Sequence, residues 1–157
     1  MAVQPVPEGY HTVTPYLAVE DASSAIDFYK RAFGAKERGR MGGPGDMVMH
    51  AELEIGDSLV MLSDPFPQAS TKPPKELGGT SVSIFLYVDD IDAVYQQAVD
   101  AGATSVAEPD DMFWGDRFGA VQDPFGHTWT IATHVEDVPP EELEKRSQEF
   151  MAAMAGS

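Results

Sequence analysis

The chain contains no cysteine. That absence excludes disulfides, thiolate zinc sites and thiol nucleophiles together. Basic residues are scarce, 10 Lys and Arg against 26 Asp and Glu, for a formal net charge of −16. A chain this acidic repels phosphate backbones, and no basic stripe interrupts it, so nucleic acid is not an expected partner. Long apolar runs are missing too, and none approaches the roughly 20 residues that span a bilayer. The opening residues "MAVQPVPEGYHTV" carry neither the basic nor the apolar region of a secretion signal. The expected location is cytoplasmic, without a membrane partner. Tryptophan occurs only twice, and both copies fall within "MFWGDRFGAVQDPFGHTWTIATH", residues 112–134.

Apolar residues are nonetheless plentiful. At 43% hydrophobic and 10% aromatic over 157 residues, the chain can bury a core as one domain or as two repeats sharing one interior. The repeat is legible. "VTPYLAVEDASSAIDFYKRAFGA" (13–35) matches "VSIFLYVDDIDAVYQQAVDAGA" (82–103), with Val13 on Val82, Leu17 on Leu86, Val19 on Val88 and Asp21 on Asp90. "EIGDSLVMLSD" (54–64) lies over "PFGHTWTIATH" (124–134), Gly56 on Gly126. Each half reads as a strand, an Asp that caps a helix, a Gly that ends it, and two or three strands with Gly turns. The order β-α-β-β-β therefore occurs twice, giving an α+β fold whose paired modules form a curved open barrel with a concave cup. The modules span 10–64 and 82–134 within a single domain over 1–157. The Pro-, Gly- and Ser-rich stretch 65–81 is the linker, with a lid over the cup as the other reading. Residues 135–157 form a helical tail with Leu143, Phe150 and Met154 on one face.

A duplicated unit carrying "YLAVEDASSAIDFYKRAFGA", "HAELEIGDSLVMLSD" and "WGDRFGAVQDPFGHTW" resembles the vicinal oxygen chelate superfamily, which includes glyoxalases, bleomycin resistance proteins and extradiol dioxygenases. It is most similar to the PhnB-like, glyoxalase/bleomycin-resistance-like branch. The resemblance implies an open barrel and a homodimer. In metal-dependent members it implies a divalent ion held by the first and last strand of each half. Those positions are Thr14, Ser83, Thr130 and Val60, or Met61 with a one-residue shift. None supplies the charge that a hard divalent cation needs, so no metal and no cofactor are expected.

Strand alternation sorts the remaining residues by face. Thr14, Tyr16 and Ala18 face the cup from strand one, with Val13, Pro15, Leu17 and Val19 toward the helix. Ser83, Phe85 and Tyr87 face the cup from the matching strand. On "MVMHAELEIGD", Met49, Ala51, Leu53 and Ile55 make the core face, and Val48, His50 and Glu52 point the other way. Thr128, Thr130 and Ala132 face the cup from the last strand, and Trp129 and Ile131 pack inward. Flat apolar walls with a few polar handles suit a small-molecule pocket.

Two readings of His50 stay open: a general base with Glu52 beside it, or a structural histidine. His11, His50 and Glu52 are also the members of a displaced metal site. "DPFGH" reads as a turn, with His127 solvated or bonded to backbone. Phe113 and Trp114 either cover the cup mouth, with Arg117 gripping a carboxylate or phosphate, or they are an aromatic packed at the module or dimer seam beside an Asp116–Arg117 surface pair.

The expected ligand contacts are Thr14, Tyr16, His50, Ser83, Phe85, Trp114, Arg117 and Thr130. The expected function is metal-free binding of a hydrophobic or aromatic, antibiotic-like small molecule. The alternative is a glyoxalase-like isomerase, lyase or dioxygenase, working through a displaced metal or His50/Glu52 acid–base chemistry. A third reading is an interaction module whose pocket its own aromatics fill.

Overall fold

Two aspartates and two glycines bracket the long helices that organise the molecule. The Asp21 carboxylate accepts from Ser24 N at 3.1 Å, and the Asp90 carboxylate from Ala93 N at 3.2 Å. Gly34 (φ 66°) and Gly102 (φ 124°) end the same helices in backbone that a side chain would strain. The computed structural model describes residues 2–156. Their elements in chain order are β1 (Tyr16–Ala18), α1 (Ala22–Phe33), β2 (Lys36–Gly42), β3 (Val48–Ile55), β4 (Ser58–Ser63), α2 (Pro74–Leu77), β5 (Ser83–Tyr87), α3 (Ile91–Ala101), β6 (Thr104–Asp111), β7 (Asp116–Gln122), β8 (Thr128–His134) and α4 (Pro140–Ala155).

The sheets repeat one topology. The first has strand order β1-β4-β3-β2 and the second β5-β8-β7-β6. In each, the first strand runs parallel to the last and the other pairs are antiparallel. Neither sheet closes on itself, and the two are separate ladders, so the architecture is an open α+β pair of modules.

The modules meet through their helices. Gln97 donates to Ala32 O at 2.9 Å and Arg31 to Ala101 O at 3.0 Å, tying α1 to α3. Beneath lies an aromatic cluster in which Trp129 sits 5.1 Å from Tyr29 and 4.6 Å from Phe33, ring centre to ring centre. At its centre is Asp123, 4% exposed. A buried carboxylate is tolerated only when its lone pairs are filled. Here Oδ1 accepts from Phe125 N (2.9 Å) and His127 N (3.0 Å). Oδ2 accepts from Trp129 Nε1 (2.8 Å) and from Tyr29 Oη, which reaches across from the other module. Burial and the Asp123 charge push the Tyr29 hydroxyl well above its ordinary range. His127 contacts backbone, its Nε2 lying 2.9 Å from Ala18 O.

The structure corrects three facial assignments. β1 is shorter than the alternation suggests, because Pro15 offers no N–H to a ladder, and Val13 is 83% exposed where the core was expected. At the start of β3 the expected order inverts, with Val48 buried and Met49 exposed. A register shift between Met41 and Gly42, opposite this end, displaces the pleat; regular alternation resumes at His50. The linker holds the short α2, and Pro73 and Pro74 are buried. A side chain at Gly126 (φ 93°) would collide with Pro74, so the linker seats on the "DPFG" turn of the second module. In the tail, Phe150 lies tilted against Phe113, ring centres 5.1 Å apart, but no α4 residue is buried.

Candidate functional site

The cup-facing residues fall into two groups of different chemistry. On the first sheet, β1 carries Tyr16 and β3 carries His50 and Glu52. Tyr16 Oη lies 3.1 Å from His50 Nδ1, and His50 Nε2 lies 3.5 Å from Glu52 Oε1. Tyr10 adds a buried hydroxyl close to the Glu52 carboxylate but outside ordinary hydrogen-bond geometry. Burial first, and then Glu52, push Tyr10 up to about 12. The Tyr10 hydroxyl, His50 and the Arg38 charge together hold Glu52 below its usual range against the opposing effect of burial. This face is a polar line of hydroxyl, imidazole and carboxylate.

The second sheet presents aromatics. Phe85 lies 5.0 Å from Tyr87 and 6.2 Å from Phe118, and Trp114 lies 6.0 Å from Phe118. Phe85 is 47% exposed, Tyr87 65% and Trp114 37%, a surface that folding alone leaves uncovered. At its edge Ser83 and Thr130 share a hydrogen bond at 2.7 Å.

One carboxylate organises this wall. Asp116, 4% exposed, accepts at Oδ2 from Tyr87 Oη (3.0 Å) and Trp114 Nε1 (3.2 Å). Its Oδ1 lies 2.8 Å from His134 Nδ1, and His134 Nε2 lies 2.8 Å from Asp137 Oδ1. Burial alone would raise the Asp116 carboxyl, but the bonds from His134, Tyr87 and Trp114 outweigh it and hold it low. Asp116 and Asp137 raise His134. Gly115 (φ 103°) permits the turn, since a side chain there would strike the Glu136 carbonyl, and Val135 N and Glu136 N both donate to Gly115 O.

Arg117 occupies neither of its expected places. Its guanidinium forks onto Asp92 at 2.8 and 2.9 Å and reaches Asp111 at 3.2 Å, while the neighbouring Asp116 turns to the aromatic wall. It is thus a surface ion-pair partner on α3 and β6, and no free cation for an anionic ligand. Sequence reasoning also gave no role to Tyr10, Asp137 or the carboxylate of Asp116 toward Trp114 and His134. A signal for the last was present: a hairpin turning at "DPFG" places Asp116 directly opposite His134, as the β7–β8 register does.

A crevice of about 810 Å³ runs between the modules, bordered by Thr14, Phe33, Leu59, Ile84, Phe85 and Leu86 among others. Of the eight expected ligand contacts only Thr14 and Phe85 border it.

The positions that the resemblance marks for a divalent ion do not fit one. Ser83 and Thr130 bond to each other, Val60 is a buried hydrocarbon, Met61 is a thioether, and Thr14 faces the crevice. Among the described residues no three His, Asp or Glu side chains converge to hold a metal, and no helix is long and apolar enough to cross a membrane.

Comparison with known proteins agrees with the duplicated topology. The family model described as the Glyoxalase/Bleomycin resistance protein/Dioxygenase superfamily matches residues 10–131. An uncharacterised protein of Mycobacterium tuberculosis is 47% identical over 135 residues, covering 84% of this chain and 79% of that protein. An uncharacterised Arabidopsis thaliana protein is 33% identical over 122 residues. The crystal structure of TioX from Micromonospora superposes with a TM-score of 0.64 at 27% identity, over 80% of this chain and 99% of that one. A PhnB protein from Bacillus cereus shares the fold, with a TM-score of 0.59 at 18% identity over 78% of this chain and 99% of that one. With the βαβββ duplication, the open sheets and this match in hand, the chain belongs to the glyoxalase/bleomycin resistance protein/dioxygenase superfamily.

Proposed function

We propose that the protein binds a small hydrophobic or aromatic compound without a metal, and does so as a cytoplasmic homodimer. The observation that carries this is the uncovered aromatic surface of Phe85, Tyr87 and Trp114, backed by the half-buried Phe118. Aromatic faces gain most from stacking on planar, apolar partners, and oriented polar groups at the margin fix the pose. The polar residues beside them, Ser83 and Thr130, are suited to orienting a ligand and poorly suited to catalysis. The homodimer is supported by the exposure of Met41 and Met49 on the first sheet, away from the aromatic wall, which a second copy would cover.

The test uses N-phenyl-1-naphthylamine, a neutral aromatic dye, after dialysis against EDTA. Trp129 is fully buried and Trp114 partly exposed, so bound dye quenches Trp114 first. Saturable binding indifferent to EDTA, and weakened by Trp114→Ala, is the expected result. No saturable binding, or binding that returns only with an added divalent ion, overturns the reading. Light scattering checks the dimer.

A second reading is acid–base catalysis on the first sheet. It is favoured by the order Tyr16 hydroxyl, His50 imidazole, Glu52 carboxylate. Here His50→Ala abolishes a turnover and leaves dye binding intact.

A further inference from the structure

Two exposed rings of the aromatic wall share one hydrogen-bond acceptor. Tyr87 and Trp114 both donate to Asp116 Oδ2, at 3.0 and 3.2 Å. An exposed side chain samples several rotamers, and ordering it on ligand binding costs affinity. The shared carboxylate removes part of that cost by holding both rings before a ligand arrives.

The carboxylate is itself buried and needs a compensating charge. Among the described residues His134 is the only side chain at Oδ1, and its ring is bracketed, with Asp116 at Nδ1 and Asp137 at Nε2, both at 2.8 Å. A neutral imidazole has one N–H, so it would point a lone pair at one of the two carboxylates. Only the imidazolium donates to both. The groups facing this pair are Tyr87 from β5, Trp114 and Asp116 from the β6–β7 turn and β7, Asp137 from the connection to α4, and Asp89, which borders the same surface hollow. All the ionised ones are acidic.

Resting on the proposed binding role, we infer that Asp116 and His134 are positioning residues for the aromatic wall, and that ligand affinity there tracks the charge on His134. The same pair fastens the tail. Asp137 and Glu136 lie in the connection to α4, and Arg146 of α4 forks onto Glu136 at 2.8 and 2.9 Å and donates to Phe113 O at 3.2 Å. Loss of the imidazolium therefore loosens the wall and the start of the tail together. The direction follows from the raised His134 pKa. The clamp is complete below about pH 6.5, the ordinary histidine value, and is lost as pH rises through the higher folded value. The lowered Asp116 keeps it intact on the acid side until below the usual carboxylate range.

The test measures dye affinity for N-phenyl-1-naphthylamine from pH 5 to 9, beside the His134 ring nitrogens and the Trp114 indole N–H by NMR in the same samples. The dye is uncharged in this range, so its own titration does not intervene. The expected result is a flat affinity at low pH that falls as His134 loses its second proton. His134→Gln removes that pH dependence, and Asp116→Asn weakens binding about tenfold, the order of one hydrogen bond to a charged group, with the pH dependence also gone. A wild-type pH profile that survives in His134→Gln overturns the inference. So does a His134 ring that carries one proton at pH 6. If the dye binds at no pH, the binding role fails, and the positioning pair is judged on the Trp114 indole signal alone. Movement of that signal with the His134 titration supports the pair, and independence of it refutes it.

Discussion

The two modules share a topology and differ in almost everything their sheets present. At the end of β4, Asp64 accepts from Ala22 N at 2.8 Å and Val48 N at 2.7 Å. At the matching end of β8, Thr133 accepts from Ile91 N at 2.9 Å, so the helix start is tied in both halves by a different side chain. Above these ties the faces diverge into a polar line on the first sheet and an aromatic wall on the second. The core diverges as well. Leu17 and Val19 of the first half are buried, whereas their counterparts Leu86 and Val88 are half-exposed along the inter-module crevice. Backbone ties and caps are what a duplicated fold must keep; the open faces carry no such obligation and are free to specialise.

The largest test of this asymmetry concerns the core. The strand registers place Ile55 over Asp123, at the end of a strand whose Leu53 is fully buried. Leu53→Ala is expected to cost about 2–5 kcal/mol, as a cavity in a packed core. Asp123→Ala is expected to cost about 3 kcal/mol or more, because Tyr29, Trp129 and two backbone N–H groups are left buried without an acceptor. Urea unfolding measures both. If Asp123→Ala were mild, the carboxylate would not be what joins the modules.

The caps give the next comparison. Asp90 caps from ordinary extended backbone, and Asp90→Ala is expected to cost about 1 kcal/mol. Asp21 caps from left-handed backbone at φ 59°, so Asp21→Ala loses the cap and adds strain, about 2 kcal/mol together. Asp21→Gly recovers part of that loss. Equal costs at the two caps would remove this difference between the halves.

The pH dependence separates the faces more finely. The second face loses its His134 clamp as pH rises above the ordinary histidine range. The first face changes later. Tyr10 is raised from 10.0 to about 12, so it contributes stability that is present below pH 10 and lost as pH climbs toward 12. Glu52→Gln is expected to bring the Tyr10 titration down from that value without abolishing the effect of burial, read as tyrosinate absorbance. The smallest expected effect is that of Tyr16→Phe or His50→Gln, within about 0.5 kcal/mol of wild type, because both side chains are part-exposed and their mutual bond competes with water.

Much of the scaffold was legible in the sequence because it rests on local chemistry. Asp21, Asp90, Gly34 and Gly102 announce helix ends within a few residues of themselves, and the repeat doubles each signal. The face assignments went astray where alternation was extrapolated past an irregularity, at Pro15 and at the Val48 end of β3. The candidate site was legible by residue type and much less by partnership. Arg117 looks like a free cation until α3 brings Asp92 to it. The Tyr10–Glu52 and Tyr29–Asp123 approaches join residues far apart in the chain, and no local pattern reports them.

Asp123 also bears on whether the halves are interchangeable. The first half carries Ile55 at the equivalent position, and Tyr29 aligns with Ala98 of the second. A molecule assembled from two identical first halves would set the Tyr29 hydroxyl against isoleucine, and one assembled from two second halves would bury a carboxylate against alanine. Neither half can now replace the other. The carboxylate–tyrosine bond thus works as a ratchet on the fused molecule: each half supplies one member, and two copies of either half lack the other.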